Sequence, residues 1–161
     1  MFFIGIITNQ KNELYVRKEL KDKNIIFIND KNITNMRNIK FDAMVIDSKL
    51  NNKQDMRKIL TNTKYLILNA DIEFDLELIE NLSLTIITYG FNSKSTFTVS
   101  SITENNIIIC LQRIIFKANG EKIEPEEYQL KYVENIEKYA IIFAISSRFI
   151  VFRLFSISYR L

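Results

Sequence analysis

The sequence predicts an α/β fold with a mostly parallel sheet. Three observations carry that prediction. Short runs rich in Ile, Val and Leu recur and stop at a polar residue or a glycine, as in Leu66–Asn69 and in Leu84–Tyr89 before Gly90. Uninterrupted apolar runs of this length are what strands buried on both faces of a parallel sheet look like. Segments of helical length separate them, so strands and helices alternate as in βαβ units with right-handed crossovers. Beyond Gly90 the pattern turns to strand after strand with turn signals, as in an antiparallel extension. The expected arrangement is Rossmann-like and three-layered, a single domain in which 1–90 is the parallel α/β part, 91–132 a β-rich extension and 133–161 an apolar helix or strand.

Each element follows from local pattern. Phe2–Thr8 is a first, central strand and Asn9–Lys11 the loop after it. Glu13–Lys23 places Leu14, Val16, Arg17 and Leu20 along a helix with a charged outer face. Asn24–Asn29 is the second strand, Asp30–Asn38 has one or two helical turns, and Phe41–Asp47 is the third strand, ending in an acid. Lys53–Leu60 is a short helix, Tyr65–Asn69 the fourth strand, Leu76–Leu82 a helix capped by Asp75, and Leu84–Tyr89 the fifth strand. Ser95–Ile102 alternates as a half-wet strand, Asn106–Phe116 is one long apolar strand, and Asn119-Gly120 a hairpin turn. Glu121–Tyr132 is extended and broken by Pro125, and Val133–Ile145 returns to helix.

Composition excludes several function classes. The 22 basic and 19 acidic residues leave a net charge of +3, too small and too scattered for a nucleic-acid surface. No histidine and a single cysteine, Cys110, exclude a Cys/His zinc site, a His-based triad and an internal disulfide, and suit a cytoplasmic protein. Cys110 lies mid-strand with no activating base nearby in sequence, so an inert buried thiol is expected. The first residues, MFFIGIITNQ, lack a basic n-region and read as a strand rather than a signal peptide. Tyr139–Leu161 is very apolar but carries Arg148, Arg153 and Arg160. Each arginine at a bilayer centre costs about 2.5–3.5 kcal/mol, so membrane contact through this end is not favoured. Its composition differs from that of the body, which leaves it open as a native or a frame-shifted tail and outside the functional assignment.

Four pieces of the chain, in order, resemble the central ATP-binding domain of the Mur ligases and folylpolyglutamate synthases. Ile4-Gly5-Ile6-Ile7-Thr8-Asn9-Gln10-Lys11 resembles the family's strand and phosphate loop, with Thr8, Asn9 and Lys11 on its TNGK. Asn69-Ala70-Asp71 resembles the NADD strand end, Thr88-Tyr89-Gly90 the following TYG- or TFG-like turn, and 134–140 the helix start HNVYNAL. The resemblance implies a degenerate phosphate loop at Thr8, Asn9 and Lys11, with Asn135 as a further nucleotide-contacting position. Departures from the pattern are as informative. Gln10 replaces the loop glycine whose absence of a side chain lets backbone N–H groups face phosphate, and Asn12-Glu13 replaces the hydroxyl pair that holds Mg²⁺. Lys138 stands where the family has its adenine-side asparagine, the family's histidine is missing, and the two flanking ligase domains do not fit in 161 residues.

The expected function is therefore a non-catalytic, Mur-ligase-like domain without catalytic residues, metal or cofactor. It would bind or scaffold, with a protein of cell-wall precursor synthesis as partner. An alternative is a nucleotide or phosphometabolite enzyme with ATP and Mg²⁺ at the edge formed by Thr8–Lys11, Asp47, Asp71 and Lys94. A third is an interaction module that docks on a membrane or partner through its C-terminus. Gly90–Thr96 is a second phosphate-loop candidate because it keeps Lys94-Ser95-Thr96, but β-forming residues follow it where a phosphate loop opens a helix. Asp47, Asp71 and Asp75 are candidates for an acid cluster at the strand ends or for helix caps.

Overall fold

A computed structural model describes residues 3–19 and 24–131. Asn135, the helix expected over Val133–Ile145 and the apolar segment Tyr139–Leu161 lie outside the described residues. The fold class is α/β with mostly parallel strand pairing. Two compact units divide the chain, Met1–Ile87 and Thr88–Leu161.

In the first unit, β1 (Ile4–Ile7), β2 (Ile25–Phe27), β3 (Ala43–Ile46) and β4 (Tyr65–Asn69) form parallel ladders in the spatial order β2-β1-β3-β4. Every residue of β1, β3 and β4 is buried, the signature of strands covered on both faces. Register fixes which side chains share a face. Gly5, Met44 and Leu66 align, as do Ile7, Ile46 and Leu68, and they pack with Ile33 of α2 (Ile33–Met36) and Met56, Ile59 and Leu60 of α3 (Lys53–Thr61) in one core. Ile4, Ile6, Val45 and Ile67 point to the opposite face. There α1 (Gln10–Glu19) buries Val16 and lays the Arg17 guanidinium 4.2 Å from the centre of the Phe27 ring. The unit is thus three-layered, helix on both sides of the sheet. Gly5 sits in close approach: a Cβ there would fall 2.2 Å from Met44 Sδ, and the thioether would have to shift.

Local chemistry explains where the elements start and stop. α1 begins at Gln10, earlier than the helix expected from Glu13, because Asn9 caps it: its Oδ1 accepts the Asn12 N–H at 2.9 Å. Leu14, expected on the inner face, is 66 % exposed, since the buried stripe runs through Asn12 and Val16, four residues apart. α3 is capped reciprocally. Asn52 accepts the Asp55 N–H, and the Asp55 carboxylate accepts from the Asn52 amide and from the Thr34 hydroxyl of α2. The helix expected over Leu76–Leu82 is only a 3₁₀ turn, Leu76–Leu78, with Asp75 accepting the Glu77 N–H. Arg57 takes the carbonyls of Glu77 and Glu80, which helical bonding would need, and Asn81 reverses the chain at φ 61°.

β5 (Thr85–Gly90) leaves the first unit, where the Thr85 N–H donates to Lys64 O, and ends in the second. There it pairs in parallel with β6 (Phe97–Ile102), which pairs antiparallel with β7 (Asn106–Leu111). The strand expected over Asn106–Phe116 is two. β7 stops at Leu111, where Gln112 and Arg113 turn their side chains to backbone carbonyls at 93–95. β8 (Ile115–Phe116) then forms a hairpin with β9 (Lys122–Ile123) around Gly120, whose φ of 86° suits glycine. β10 (Glu126–Lys131) follows Pro125 and pairs antiparallel with β7.

Candidate functional site

Strand order locates the edge to inspect. The chain proceeds from β1 outward to β2, then returns to the other side of β1 for β3, so the order reverses between β1 and β3. In open α/β sheets ligands bind outside the carboxyl ends of the strands at such a reversal. At those ends stand Thr8 and Asp47, which follow β1 and β3, and Asn69, the last residue of β4. Asp47, 6 % exposed, accepts from the Thr8 hydroxyl at 2.8 Å, the Asn12 amide at 2.8 Å and the Asn69 amide at 2.9 Å. Its own N–H continues the ladder to Ile7 O at 2.8 Å. The carboxylate therefore ties three strand ends and the first turn of α1 together through neutral donors, in a buried position where its hydrogen bonds are strong.

That knot determines what the Thr8–Lys11 segment is. Only Thr8 and Asn9 separate β1 from α1, and Lys11 lies in the first helical turn with its side chain exposed. A phosphate cradle needs several consecutive N–H groups turned inward from a longer loop. Here the Asn12 and Glu13 N–H groups go to Asn9 Oδ1 and Asn9 O, and the buried Asp47 carboxylate stands at the strand end. Asn12 is the member that sequence reasoning missed. Its spacing of four from Val16 on an amphipathic helix was the available signal.

The Gly90–Thr96 segment is also closed on itself. The N–H groups of Lys94, Ser95 and Thr96 donate to Asn92 Oδ1, Asn92 O and Thr88 Oγ1. Carbonyls of Ser93, Lys94 and Ser95 accept from Gln112 and Arg113. β6 follows, not a helix. Lys94 belongs to the second unit, whereas Thr8, Asp47 and Asp71 belong to the first.

No family model matches the chain, and no curated protein matches it. The likeness to the Mur ligases thus rests on the four quoted motifs. Among the described residues no helix is long and apolar enough to cross a membrane.

Of the other candidate acids, Asp75 caps the 3₁₀ turn and is bonded to Lys53, and Asp71 is exposed with its N–H on Asn69 Oδ1. Among the described residues no group of three or more Asp, Glu, His or Cys side chains is placed to hold a metal ion. Cys110 is half-buried rather than buried, and its thiol donates to Glu127 Oε1 at 3.1 Å. Partial burial and the Glu127 carboxylate push that thiol up, away from the reactive thiolate.

The same edge carries a cleft of about 590 Å³ between the β3–α3 connection and the β4–3₁₀ connection. Ile46 and Met56 form its buried base, with Leu50, Ile72, Phe74 and Leu78 half-buried around it. Two ion pairs span the connections: Lys49 Nζ to Glu73 Oε2 at 2.5 Å, and Lys53 to Asp75. The Lys49 ammonium holds Glu73 below the usual carboxylate range, and the Lys53 ammonium does the same to Asp75, helped by the Glu77 N–H. Lys53 is pushed up in turn by its bond to Asp75.

Proposed function

We propose that this chain is a non-catalytic binding or scaffolding domain of Mur-ligase-like ancestry, linked to cell-wall precursor metabolism through a protein partner. The observation that carries the non-catalytic part is the Asp47 knot. A buried carboxylate tied to Thr8, Asn12 and Asn69, behind a two-residue connection, stands at the strand-end position where a phosphate loop would hold its anion. An anion brought there meets a carboxylate, and the Asn12 and Glu13 N–H groups are already spent on Asn9. Ancestry and partner class are supported by the motif resemblance alone, which is an argument from fold-level analogy.

A thermal-shift screen tests this function. ATP, ADP, GTP and inorganic phosphate, each with Mg²⁺, should leave the melting temperature unchanged. A true ligand at a hundred times its Kd adds about 2.7 kcal/mol, which for a chain of this size is a rise of roughly 5–10 °C. A rise of that size with a nucleotide would favour instead an enzyme working at the strand-end edge.

A further inference from the structure

We propose that the cleft of the first unit is a binding site for an uncharged apolar small molecule, held under two lysine–carboxylate straps. Three features point to it. The cleft lies at the carboxyl ends of β3 and β4, and its volume of about 590 Å³ is within the range of ligand pockets, roughly 300–1,000 Å³. Beside the charged straps, its lining is apolar at Ile46, Leu50, Met56, Ile72, Phe74 and Leu78. Leu76, 69 % exposed on the 3₁₀ turn, adds an apolar side chain to the lining.

Charge pairing selects the ligand class. Lys49 and Lys53 come from the β3–α3 side, Glu73 and Asp75 from the β4 side, and each cation is matched to an acid. An anionic ligand that recruited a lysine would leave its carboxylate unmatched, and Glu77, a third acid of the lining, adds to the bias against anions. An uncharged molecule takes the apolar surface and leaves both pairs intact. Opening is cheap, because ion pairs between solvent-exposed side chains contribute little. A second cavity of about 500 Å³ shares Lys53, Asp75, Glu77 and Leu78 with the first. The Lys53–Asp75 strap is thus part of a common wall, and it limits the length of ligand that fits.

Two fluorescent probes with the same ring system separate these cases on the full chain: uncharged N-phenyl-1-naphthylamine and its sulfonate, 8-anilinonaphthalene-1-sulfonate. The uncharged probe should bind saturably at one site, and the sulfonate roughly tenfold or more weaker. Leu76→Glu, at an exposed position, should weaken the uncharged probe several-fold without changing the melting temperature. Leu14→Glu, on the exposed face of α1, should change nothing. In Glu73→Gln/Asp75→Asn the lysines lose their partners, and the sulfonate should gain roughly tenfold. The proposal fails if the uncharged probe does not saturate, if both probes bind wild type equally, if the sulfonate gains nothing when the acids are removed, or if Leu14→Glu weakens binding as much as Leu76→Glu. Such a failure would leave the result of the nucleotide screen untouched.

Discussion

Replacing Asp47 by alanine removes the acceptor shared by the Thr8 hydroxyl and the Asn12 and Asn69 amides. Thr8 is half-buried and its hydroxyl can rotate toward water. The two asparagines are each only 3 % exposed, so their amides stay dry. A buried donor left without a partner costs about 1–3 kcal/mol, so the two together predict a loss of about 2–6 kcal/mol. At roughly 2–4 °C per kcal/mol for a chain of this size, the melting temperature falls by about 4–24 °C. Asp47→Asn keeps one carbonyl acceptor at the same place and should lose less than the alanine variant. Adding Asn12→Ala to Asp47→Ala should cost less than the sum of the two single changes, because one of the stranded donors has gone. Calorimetric or spectroscopic melting of the four variants beside wild type measures all of this. An alanine variant that melts within about 2 °C of wild type would refute the view of Asp47 as the structural tie of the strand ends.

Three other outcomes follow from the same geometry. Gly5→Ala places a methyl 2.2 Å from Met44 Sδ, and although the thioether can shift, overpacking should cost about 1–3 kcal/mol in a denaturant titration. Asn52→Ala removes the side-chain cap of α3 and the amide that donates to Asp55, a loss of about 0.5–2 kcal/mol by the same titration. The acids of the two straps have folded pKa values below their ordinary 4.5 for Glu73 and 3.8 for Asp75. Their contribution is therefore fully present above those ordinary values and is lost as pH falls through the lowered ones. Stability measured from pH 6 downward should drop less steeply below about pH 4 in Glu73→Gln/Asp75→Asn than in wild type.

The parallel part of the fold was legible because it depends on a signal that sequence carries directly. β1, β3 and β4 are buried on both faces, so their apolar runs are uninterrupted and each stops at a polar residue, Thr8, Asp47 or Asn69. Tertiary partners decided what was not legible. Gln112 and Arg113 end β7 because they reach carbonyls almost twenty residues earlier, and nothing local in Asn106–Phe116 announces that. Arg57 likewise shortens the turn after Asp75 from another helix. At the candidate site the residues that matter were in view but in other roles. The sequence pattern places Thr8 and Asn9 in a degenerate phosphate loop and Asn69 in a motif; in the structure Thr8 and Asn69 also satisfy Asp47, and Asn9 caps α1. Asn12 was legible only through helical spacing. The cleft was not legible at all, since it arises from two connections meeting at the strand ends.

The central claim is that the strand-end edge is a closed structural knot and not a nucleotide site. Titrating Mg²⁺-ATP into the full chain in a calorimeter tests it most directly. The account predicts no saturable heat up to about 1 mM nucleotide, a concentration that would reveal any affinity better than about −4 kcal/mol, with wild type and Lys11→Ala indistinguishable. Saturable binding in the micromolar range that Lys11→Ala abolishes would contradict it.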